Sequence, residues 1–501
     1  MLTISKEAFE RESQTYKTVA VSAKVFADTK TPIQLFHLFN DQAAFILESK
    51  DPLSPWSNYS FIGLNPIYSL FDQDKSYVFQ NKAGDVLAEG SAFQDTWEKA
   101  LNYLNISPNM PDLPFPGGAV GYLGFEAYAH YEPRLKRSET SSDVSFLFCE
   151  TILAYHHEKE ELTVVHLQST NSTDADRSYN LAKTEVDNIL QKIEEDNVVS
   201  ASMVPMTQTK DEDIFKGVAS NYSKEEYMNQ VNKIKEYIGA GDIFQAVLSQ
   251  RFELPVQTDG LSLYRVLRKI NPSPYLYYIR FNDQEIIGSS PERLVKVDES
   301  KELEIHPIAG TRKRGKTKEE DELLAKDLLG DEKERAEHLM LVDLARNDIG
   351  RVSEYGSVNV KDMMNVSYFS HVMHLTTKVT GNLRKGTHPF EALFSTHPAG
   401  TVSGAPKVRA VEIIQELEQM KRGVYAGAIA YCGFNQVIDS CIAIRTIVLQ
   451  KGVAYVQAGA GIVQDSVPES EWEETRNKAK ALIYAIKLAE QRFEAEEVSK
   501  R

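Results

Sequence analysis

Acidic side chains on two segments with helical character suit metal chemistry by type and spacing. Glu337 lies in DEKERAEHLMLVDLAR, while Glu471, Glu474 and Lys478 are spaced by three and four residues and therefore share one helix face. Glutamates projecting from two helices into one cleft can hold Mg²⁺, which completes its octahedron with water and substrate oxygens. The alternative, favoured by spacing alone, is a set of solvated helix charges with Glu474 and Lys478 as an exposed ion pair.

Two glycine-containing segments could bind an anion. Gly459, Ala460 and Gly461 follow a β-like stretch, and closely spaced glycines let backbone N–H groups converge on negative charge. An ordinary tight turn is the alternative. In HPAGTVSGAPK (397–407), which carries the Thr401 hydroxyl, backbone N–H groups at the start of a helix could take an anion. An ordinary capped helix start is the alternative there.

Two single residues are further candidates for the site: Arg445 because of its charge, and His374 because of its titratable ring. Arg445 interrupts CIAIRTIVL (441–449), which the pattern predicts to be a buried strand, so its charge must be paired with a protein carboxylate or with a ligand. The sequence does not decide between these two partners for Arg445. His374 lies in an apolar segment; it could be a general acid or base, or a hydrogen-bonded core histidine.

Composition limits the classes of function. The chain has 501 residues and a formal net charge of −16, which argues against nucleic acid, because phosphate contacts need a basic face. An anionic substrate would require a locally positive site. No apolar run approaches the roughly 20 residues that span a bilayer, and no apolar signal core is visible near the N-terminus, so we expect a cytoplasmic protein. Cys149, Cys432 and Cys441 show no metal spacing and are expected to be buried thiols.

The elements that must position these residues are strands in the first 170 residues and alternating helices and strands thereafter. Residues 196–213 lack periodicity and predict a surface connection. Ser223 and Glu226 have capping-box spacing, and Asp331 is a candidate N-cap. This pattern predicts an α+β or mixed α/β fold, with helices at 174–195, 223–241, 331–346, 407–420 and about 469–494.

Six long strings resemble those of the chorismate-utilising enzymes, and most closely those of anthranilate synthase component I. They are HPIAGTRKRG (306–315), DEKERAEHLMLVDLARNDIGRV (331–352), FSTHPAGTVSGAPKVRAVEII (394–414), RGVYAGAIAY (422–431), CIAIRT (441–446) and QAGAGIVQDSVPESEWEETRNKA (457–479). The resemblance implies a single unit of two packed, mainly antiparallel β-sheets with helices outside. It also implies an N-terminal regulatory, tryptophan-binding subdomain (1–200), a connection (201–220) and a C-terminal chorismate-binding catalytic subdomain (221–495).

The resemblance also implies roles for residues at matching positions. Glu337 and Glu474 would be the Mg²⁺ ligands, with Glu471 as a third carboxylate nearby, and Glu337 would also act in catalysis. His374 and Thr401 would line the catalytic pocket, with His374 assisting departure of a hydroxyl group. The positions implied for binding chorismate are Gly310, Thr311, Tyr425, Arg445, Gly459, Ala460 and Gly461.

The implied reaction is amination of chorismate with ammonia, followed by elimination of pyruvate to give anthranilate, the first committed step of tryptophan synthesis. No glutaminase nucleophile motif is visible, so ammonia would come from a separate glutamine amidotransferase subunit, in a heterotetramer. Aminodeoxychorismate synthase and a catalytically inactive tryptophan sensor are the alternatives. Ala309, where aminodeoxychorismate synthases usually carry lysine, and Gln245, where water-using relatives carry lysine, favour anthranilate.

Feedback inhibition by tryptophan is a further implication. The strings ILES (46–49) and NPSPYL (271–276) are similar to the two halves of the family's effector site. The residues expected to bind tryptophan are Glu48, Ser49, Pro274, Tyr275 and Leu276. Leu276 in place of the usual methionine and Asn58 in place of a more usual arginine depart from the family pattern, and an edge strand packed on a Pro-rich turn is the alternative.

Overall fold

The computed structural model describes residues 2–50, 58–135, 143–170, 174–195, 214–368 and 372–500, the last nine as helical backbone only. The predicted connection at 196–213 lies outside the described residues. The helices are α1 (Lys6–Ser13), α2 (Pro32–Leu38), α3 (Phe93–Leu104), α4 (Tyr128–Tyr131), α5 (Ala175–Glu195), α6 (Lys224–Gly239), α7 (Gly260–Ile270), α8 (Lys318–Gly330), α9 (Glu332–Gly350), α10 (Pro389–Thr396), α11 (Lys407–Leu417) and α12 (Pro468–Lys500).

Helix starts follow the local capping signals. Ser223 accepts from the Glu226 backbone and Glu226 bonds back to the Ser223 N–H, so the predicted capping box of α6 is confirmed. Asp331 caps α9 by accepting from the N–H groups of Lys333 and Glu334. The helix predicted at 407–420 ends earlier, at Leu417, so its last residues were predicted wrongly.

The strands are β1 (Thr18–Phe26), β2 (Ala43–Glu48), β3 (Tyr59–Gln73), β4 (Ser76–Asn81), β5 (Val86–Gly90), β6 (Gly118–Leu123), β7 (Val144–His156), β8 (Glu161–Ser169), β9 (Ala219–Ser220), β10 (Gln245–Pro255), β11 (Tyr275–Arg280), β12 (Glu285–Ser290), β13 (Arg293–Val297), β14 (Glu302–Ile305), β15 (Ile308–Lys313), β16 (Asn359–Tyr368), β17 (Val372–Asn382), β18 (Gly404–Ala405), β19 (Ala428–Gly433), β20 (Ile438–Ile442), β21 (Thr446–Gln450) and β22 (Val453–Ile462). The longest strand is β3, which has 15 residues.

Pairing of the two long strands β3 and β7 forms the centre of the sheet, and every ladder between these strands is antiparallel. From β3 one arm continues through β2, β11, β12, β21, β22 and β10. From β7 a second arm continues through β6, β19, β20, β13, β14 and β17. The predicted fold class is confirmed, with the two layers linked into one hydrogen-bonded network.

The chain crosses between the arms at two neighbouring places. One crossover leads from β12 to β13 and contains Glu292; the other leads from β20 to β21 and contains Arg445. They are bonded to each other, because Ser289 N donates to Arg445 O at 3.1 Å and Ile442 N donates to Glu292 O at 3.0 Å. The fold thereby fixes two charged residues side by side at the junction of the arms.

Two large apolar cores stabilise the arms. The first packs α5, α7 and α12 against the first arm, and the second contains α3, α10 and part of α9 with strands of the second arm. Cys149, Cys432 and Cys441 are buried and free, as predicted. Within the described part of the chain, no helix is long and apolar enough to cross a membrane.

Candidate active site

Helices α9 and α12 bring acidic side chains together. The pKa of Glu337 is raised, first by burial and then by the like charges of Glu334 and Glu474. Burial also raises the pKa of Glu471, with a further contribution from Glu474. Glu474 therefore lies within electrostatic reach of both Glu337 and Glu471. As a residue, Glu337 is exposed to solvent.

Lys478 connects this acidic cluster to the sheet. Its ammonium lies 2.7 Å from Glu474 Oε1 and donates to the carbonyl oxygen of Gly459 at 2.9 Å. The predicted pair of Glu474 and Lys478 is thus present, but it is not an isolated surface pair. It holds the acidic face of α12 against β22.

Arg445 lies at a break between strands, so the prediction of a continuous strand over 441–449 was wrong at this point. Its φ of 52° is left-handed, which interrupts the ladder and costs about 1 kcal/mol or more for a residue with a side chain. Burial lowers the pKa of Arg445, opposed by Tyr425 and Glu474. Among the described residues, no ion pair joins its guanidinium to a carboxylate, so its charge is available to a ligand.

The glycine segment is extended strand, not the turn that the sequence suggested. Gly459, Ala460 and Gly461 belong to β22 and pair with β10, while Ala460 is buried in a small core. A Cβ on Gly459 would lie 2.9 Å from the Tyr425 hydroxyl, and one on Gly461 would lie 2.6 Å from the Gln245 amide. Glycine is needed here for close approach rather than for positive φ.

One edge of β22 is open beside Arg445, because β21 pairs with β22 only as far as Val456. The Gly459 backbone hydrogen-bonds Tyr425, whose pKa burial raises to about 12. N–H groups two residues apart point to the same strand edge, so the Gly461 N–H faces the same side. Arg445, Tyr425 and this edge form one surface for an anion.

Glu292 is the residue that sequence reasoning missed. Burial raises its pKa to about 7, opposed by a hydrogen bond from Thr401 and by the charge of Lys478. The Thr401 hydroxyl donates to Glu292 Oε1 at 3.2 Å. The only sequence signal was a Glu-Arg pair one residue after the strand EIIGSS, behind Pro291, which is weak because such pairs are common on surfaces. A carboxyl group that is partly protonated at neutral pH suits proton transfer.

His374 lies with Gly310 and Thr311 on the second arm. Its Nδ1 is 2.7 Å from the Gly310 carbonyl oxygen and 3.2 Å from the Thr311 hydroxyl. Because a carbonyl oxygen only accepts, Nδ1 carries the ring proton and Nε2 carries a lone pair. Burial is the main cause that lowers the pKa of His374, so the neutral ring is a hydrogen-bond acceptor at Nε2. This small group is linked to the acidic cluster through Glu334, whose charge acts on both His374 and Glu337.

The acidic cluster fits Mg²⁺. Its donors are carboxylate oxygens, which this hard cation prefers. Burial first, and then the charge of Glu474, raise the pKa of Glu337 and of Glu471, and a bound cation would oppose both effects. The residues that would hold the ion are Glu337 and Glu474, with Glu471 beside them.

A second pocket lies between the arms on the other side of the crossovers. Leu276 on β11 pairs with Glu48 on β2, which joins the two predicted effector strings. The pocket combines apolar walls with a few polar groups, as small-molecule sites commonly do. Its lining includes Glu48, Ser49, Pro274, Tyr275, Leu276, Arg293, Tyr431 and Asp439.

The Glu48 carboxylate is held in place by hydrogen bonds within the protein. It accepts hydrogen bonds from the Tyr264 hydroxyl at 2.6 Å and from Arg268 at 2.8 Å. Tyr275 in the pocket donates to Asp439 at 2.9 Å and accepts from Arg293 at 2.7 Å. The polar groups of this pocket therefore include an acid and a guanidinium, which suit the two ends of an amino acid.

Comparisons with known proteins agree with this architecture. Residues 45–484 match the family described as chorismate binding enzyme. Anthranilate synthase component 1 of Geobacillus stearothermophilus is 47% identical over 494 residues, covering 97% of each chain, and that of Bacillus subtilis (strain 168) is 46% identical over 501 residues, covering 98% of this chain and 96% of the relative. The crystal structure of anthranilate synthase component I from Streptococcus pneumoniae TIGR4 gives a TM-score of 0.72 at 36% identity, covering 92% of this chain and 98% of that chain.

The contrast between two buried arginines leads to a stability prediction. Arg422 donates to both carboxylate oxygens of Glu418, at 2.8 and 2.6 Å, whereas Arg445 has no such partner in the described structure. We expect Arg445→Gln to keep or raise the free energy of unfolding by up to about 1 kcal/mol, because it removes a buried charge without breaking a pair. Urea denaturation without ligand would measure this change.

Arg422→Gln is the matched control. It should lower the free energy of unfolding by about 3–5 kcal/mol, because Glu418 would be left buried and uncompensated. Equal destabilisation by both substitutions would mean that Arg445 is a structural ion-pair residue after all.

Proposed function

The chain belongs to the family of chorismate-binding enzymes, among the anthranilate synthase component 1 proteins, and we propose that it converts chorismate into anthranilate at the site around Glu337, Glu474 and Arg445. The observation that carries this proposal is an acidic cluster and a buried, ligand-available guanidinium beside an open strand edge. Such a site suits a small dianion bound together with a divalent cation. It also supplies the local positive charge that a chain with a net charge of −16 needs.

Chorismate carries two carboxylates, and the site offers a separate place for each. Arg445 and the Gly461 N–H take the enolpyruvyl carboxylate through charge-assisted hydrogen bonds. Glu337 and Glu474 hold Mg²⁺, which when bound supplies positive charge to the ring carboxylate and to charge developing in the reaction. Tyr425 packs beside Gly459, where a Cβ would lie 2.9 Å from the Tyr425 hydroxyl, so a larger residue would displace this ring from the site.

Proton transfer is the task of Glu292. In the proposed reaction ammonia adds to the ring as the 4-hydroxyl leaves, a ring proton is removed and pyruvate is eliminated. A carboxyl group with a pKa of about 7 is partly protonated at neutral pH and can donate to the departing hydroxyl. Thr401 orients it, and neutral His374 accepts a hydrogen bond at Nε2.

Gln245 favours ammonia over water as the nucleophile. Its neutral amide lies against Gly461 and cannot act as a base in the way that a lysine at this position would. With Ala309 in the AGTR string, this supports anthranilate over aminodeoxychorismate as the product. Ammonia comes from a separate glutamine amidotransferase subunit in a heterotetramer, and the enzyme works in the cytoplasm.

Tryptophan is the proposed occupant of the second pocket, as a feedback inhibitor. Asp439 and the Ser49–Glu48 strand end suit its ammonium group, Arg293 suits its carboxylate, and Pro274 and Leu276 supply an apolar wall. Tryptophan binding can affect catalysis directly, because Arg293 in this pocket is the next residue after Glu292 in the active site. A ligand that moves Arg293 therefore also moves the proton donor.

The first test concerns the metal ligands. We expect Glu474→Gln to reduce anthranilate formation from chorismate, Mg²⁺ and ammonium at least about 100-fold, because a charged ligand is lost where the ion stabilises developing charge. Anthranilate fluorescence measures the rate, and mass determination with a coupled lyase distinguishes anthranilate from aminodeoxychorismate.

Glu473→Gln is the control for this substitution, since Glu473 is an exposed neighbour on the same helix. It should retain full activity and the same Mg²⁺ requirement. Wild-type turnover in Glu474→Gln would remove Glu474 from the site, and aminodeoxychorismate as the product would replace the proposed reaction.

The second test concerns Glu292. If its protonated form is the acid, kcat falls about tenfold per pH unit above about pH 7, because ionisation removes the donor. Glu292→Gln should lower kcat about 10²–10⁴-fold and abolish this alkaline limb. A limb that persists in the variant would assign the ionisation to another group.

The third test concerns inhibition. We expect Ser49→Ala to raise the half-inhibitory tryptophan concentration about 10–100-fold without changing uninhibited activity, because a hydrogen bond to a charged ammonium contributes about 1.5–3 kcal/mol. Ser300→Ala, at an exposed turn, is the control and should leave inhibition unchanged. An identical inhibition curve for Ser49→Ala would locate the effector elsewhere.

A further inference from the structure

Three metal-ligating side chains meet inside the second arm, on elements that carry no residue of the proposed active site. Asp72 lies on β3, His130 on α4 and Asp143 directly before β7. Their side chains are 6%, 5% and 3% exposed, and one ligand atom from each lies within 4.8 Å of the others. This is the only such His/Cys/Asp/Glu group among the described residues.

The distances suit a shared ion better than direct hydrogen bonds. His130 Nε2 lies 3.7 Å from Asp72 Oδ2 and 3.6 Å from Asp143 Oδ2, whereas charge-assisted hydrogen bonds measure about 2.7–2.9 Å. Ligands at about 2.0–2.2 Å from a tetrahedral Zn²⁺ are separated by about 3.3–3.6 Å. The three atoms therefore outline most of one face of a tetrahedron.

Surrounding groups orient the ligands as a metal site requires. A metal on His130 Nε2 needs the ring proton on Nδ1, and the Tyr77 hydroxyl oxygen lies 2.6 Å from Nδ1, where it can accept that proton. The other oxygen of Asp72 accepts from Val144 N–H at 2.7 Å. Such outer hydrogen bonds fix the tautomer and the direction of metal ligands.

Charge also favours a divalent cation. Two carboxylates, a neutral imidazole and one divalent ion sum to zero, which a buried site needs. Burial and the neighbouring Asp143 raise the pKa of Asp72, as expected of two acids that crowd one apolar region. Asp143 also lines a cavity that is open to solvent and contains the Glu126 carboxylate.

We propose that Asp72, His130 and Asp143 bind one divalent transition-metal ion of the zinc class, which pins β3, α4 and β7 together. The mixed nitrogen and oxygen donors distinguish this site from the all-carboxylate cluster proposed for Mg²⁺. The inference does not depend on the proposed reaction, because its role is to stabilise the second arm.

The test uses the full-length chain, stripped with EDTA and kept in excess Mg²⁺ so that the acidic cluster is filled. We expect Zn²⁺ titration followed by gel filtration and elemental analysis to give one zinc per chain, with a rise in Tm because the ion binds only the folded state. Co²⁺ should give the visible absorption of a tetrahedral site. No tightly held zinc in the wild-type chain would overturn the proposal.

Substitutions locate the ion. His130→Gln and Asp143→Asn should lose the zinc and the rise in Tm, and Tyr77→Phe should weaken affinity about 10–100-fold while the chain stays folded. His166→Gln is the control, since His166 is another buried histidine, bonded to Thr151 at 3.0 Å, and should retain one zinc, as should Glu474→Gln. If His130→Gln, Asp143→Asn and Tyr77→Phe all retained zinc as the wild-type chain does, the ion would lie elsewhere and this site would be refuted.

Discussion

Opposite charges are held close together in this protein without neutralising one another. The charge of Glu474 acts on Arg445, but the ion pair of Glu474 is with Lys478. The left-handed backbone of Arg445 places its guanidinium at a strand crossover, where it stays available to a ligand. Uncompensated charge is costly inside a protein. An anion bound at Arg445 would offset this cost, in agreement with the proposed binding of an anionic substrate.

The two arms that diverge from β3 and β7 make this arrangement possible. Where the chain passes from one arm to the other, the ladders are interrupted, and side chains such as Glu292 and Arg445 can point into the space between the layers. The same geometry leaves a pocket on each side of the crossovers. The proposed catalytic site and the pocket proposed for an effector therefore share one short segment, Glu292 and Arg293.

Several local predictions succeeded because they depended on short-range physics. The capping box at Ser223 and Glu226 formed as its spacing predicted, and the family resemblance is confirmed by relatives matched over nearly the whole chain. The tight turn that was the alternative at Gly459 to Gly461 is not present, because glycine also serves where another group packs closely against a strand. The prediction of a continuous strand over 441–449 was wrong at Arg445, since an apolar sequence pattern cannot reveal a single residue with a left-handed backbone.

The sequence by itself determined the helices at 174–195, 223–241 and 331–346, the mixed α+β character and which residue types could bind an anion and a hard cation, because periodicity, caps and side-chain chemistry are local properties. Only the tertiary structure decided which of these residues share a cleft, that Glu292 is buried enough for its pKa to rise to about 7, and that His374 holds its proton on Nδ1. These properties depend on dielectric surroundings and on contacts between distant segments, which no residue spacing encodes.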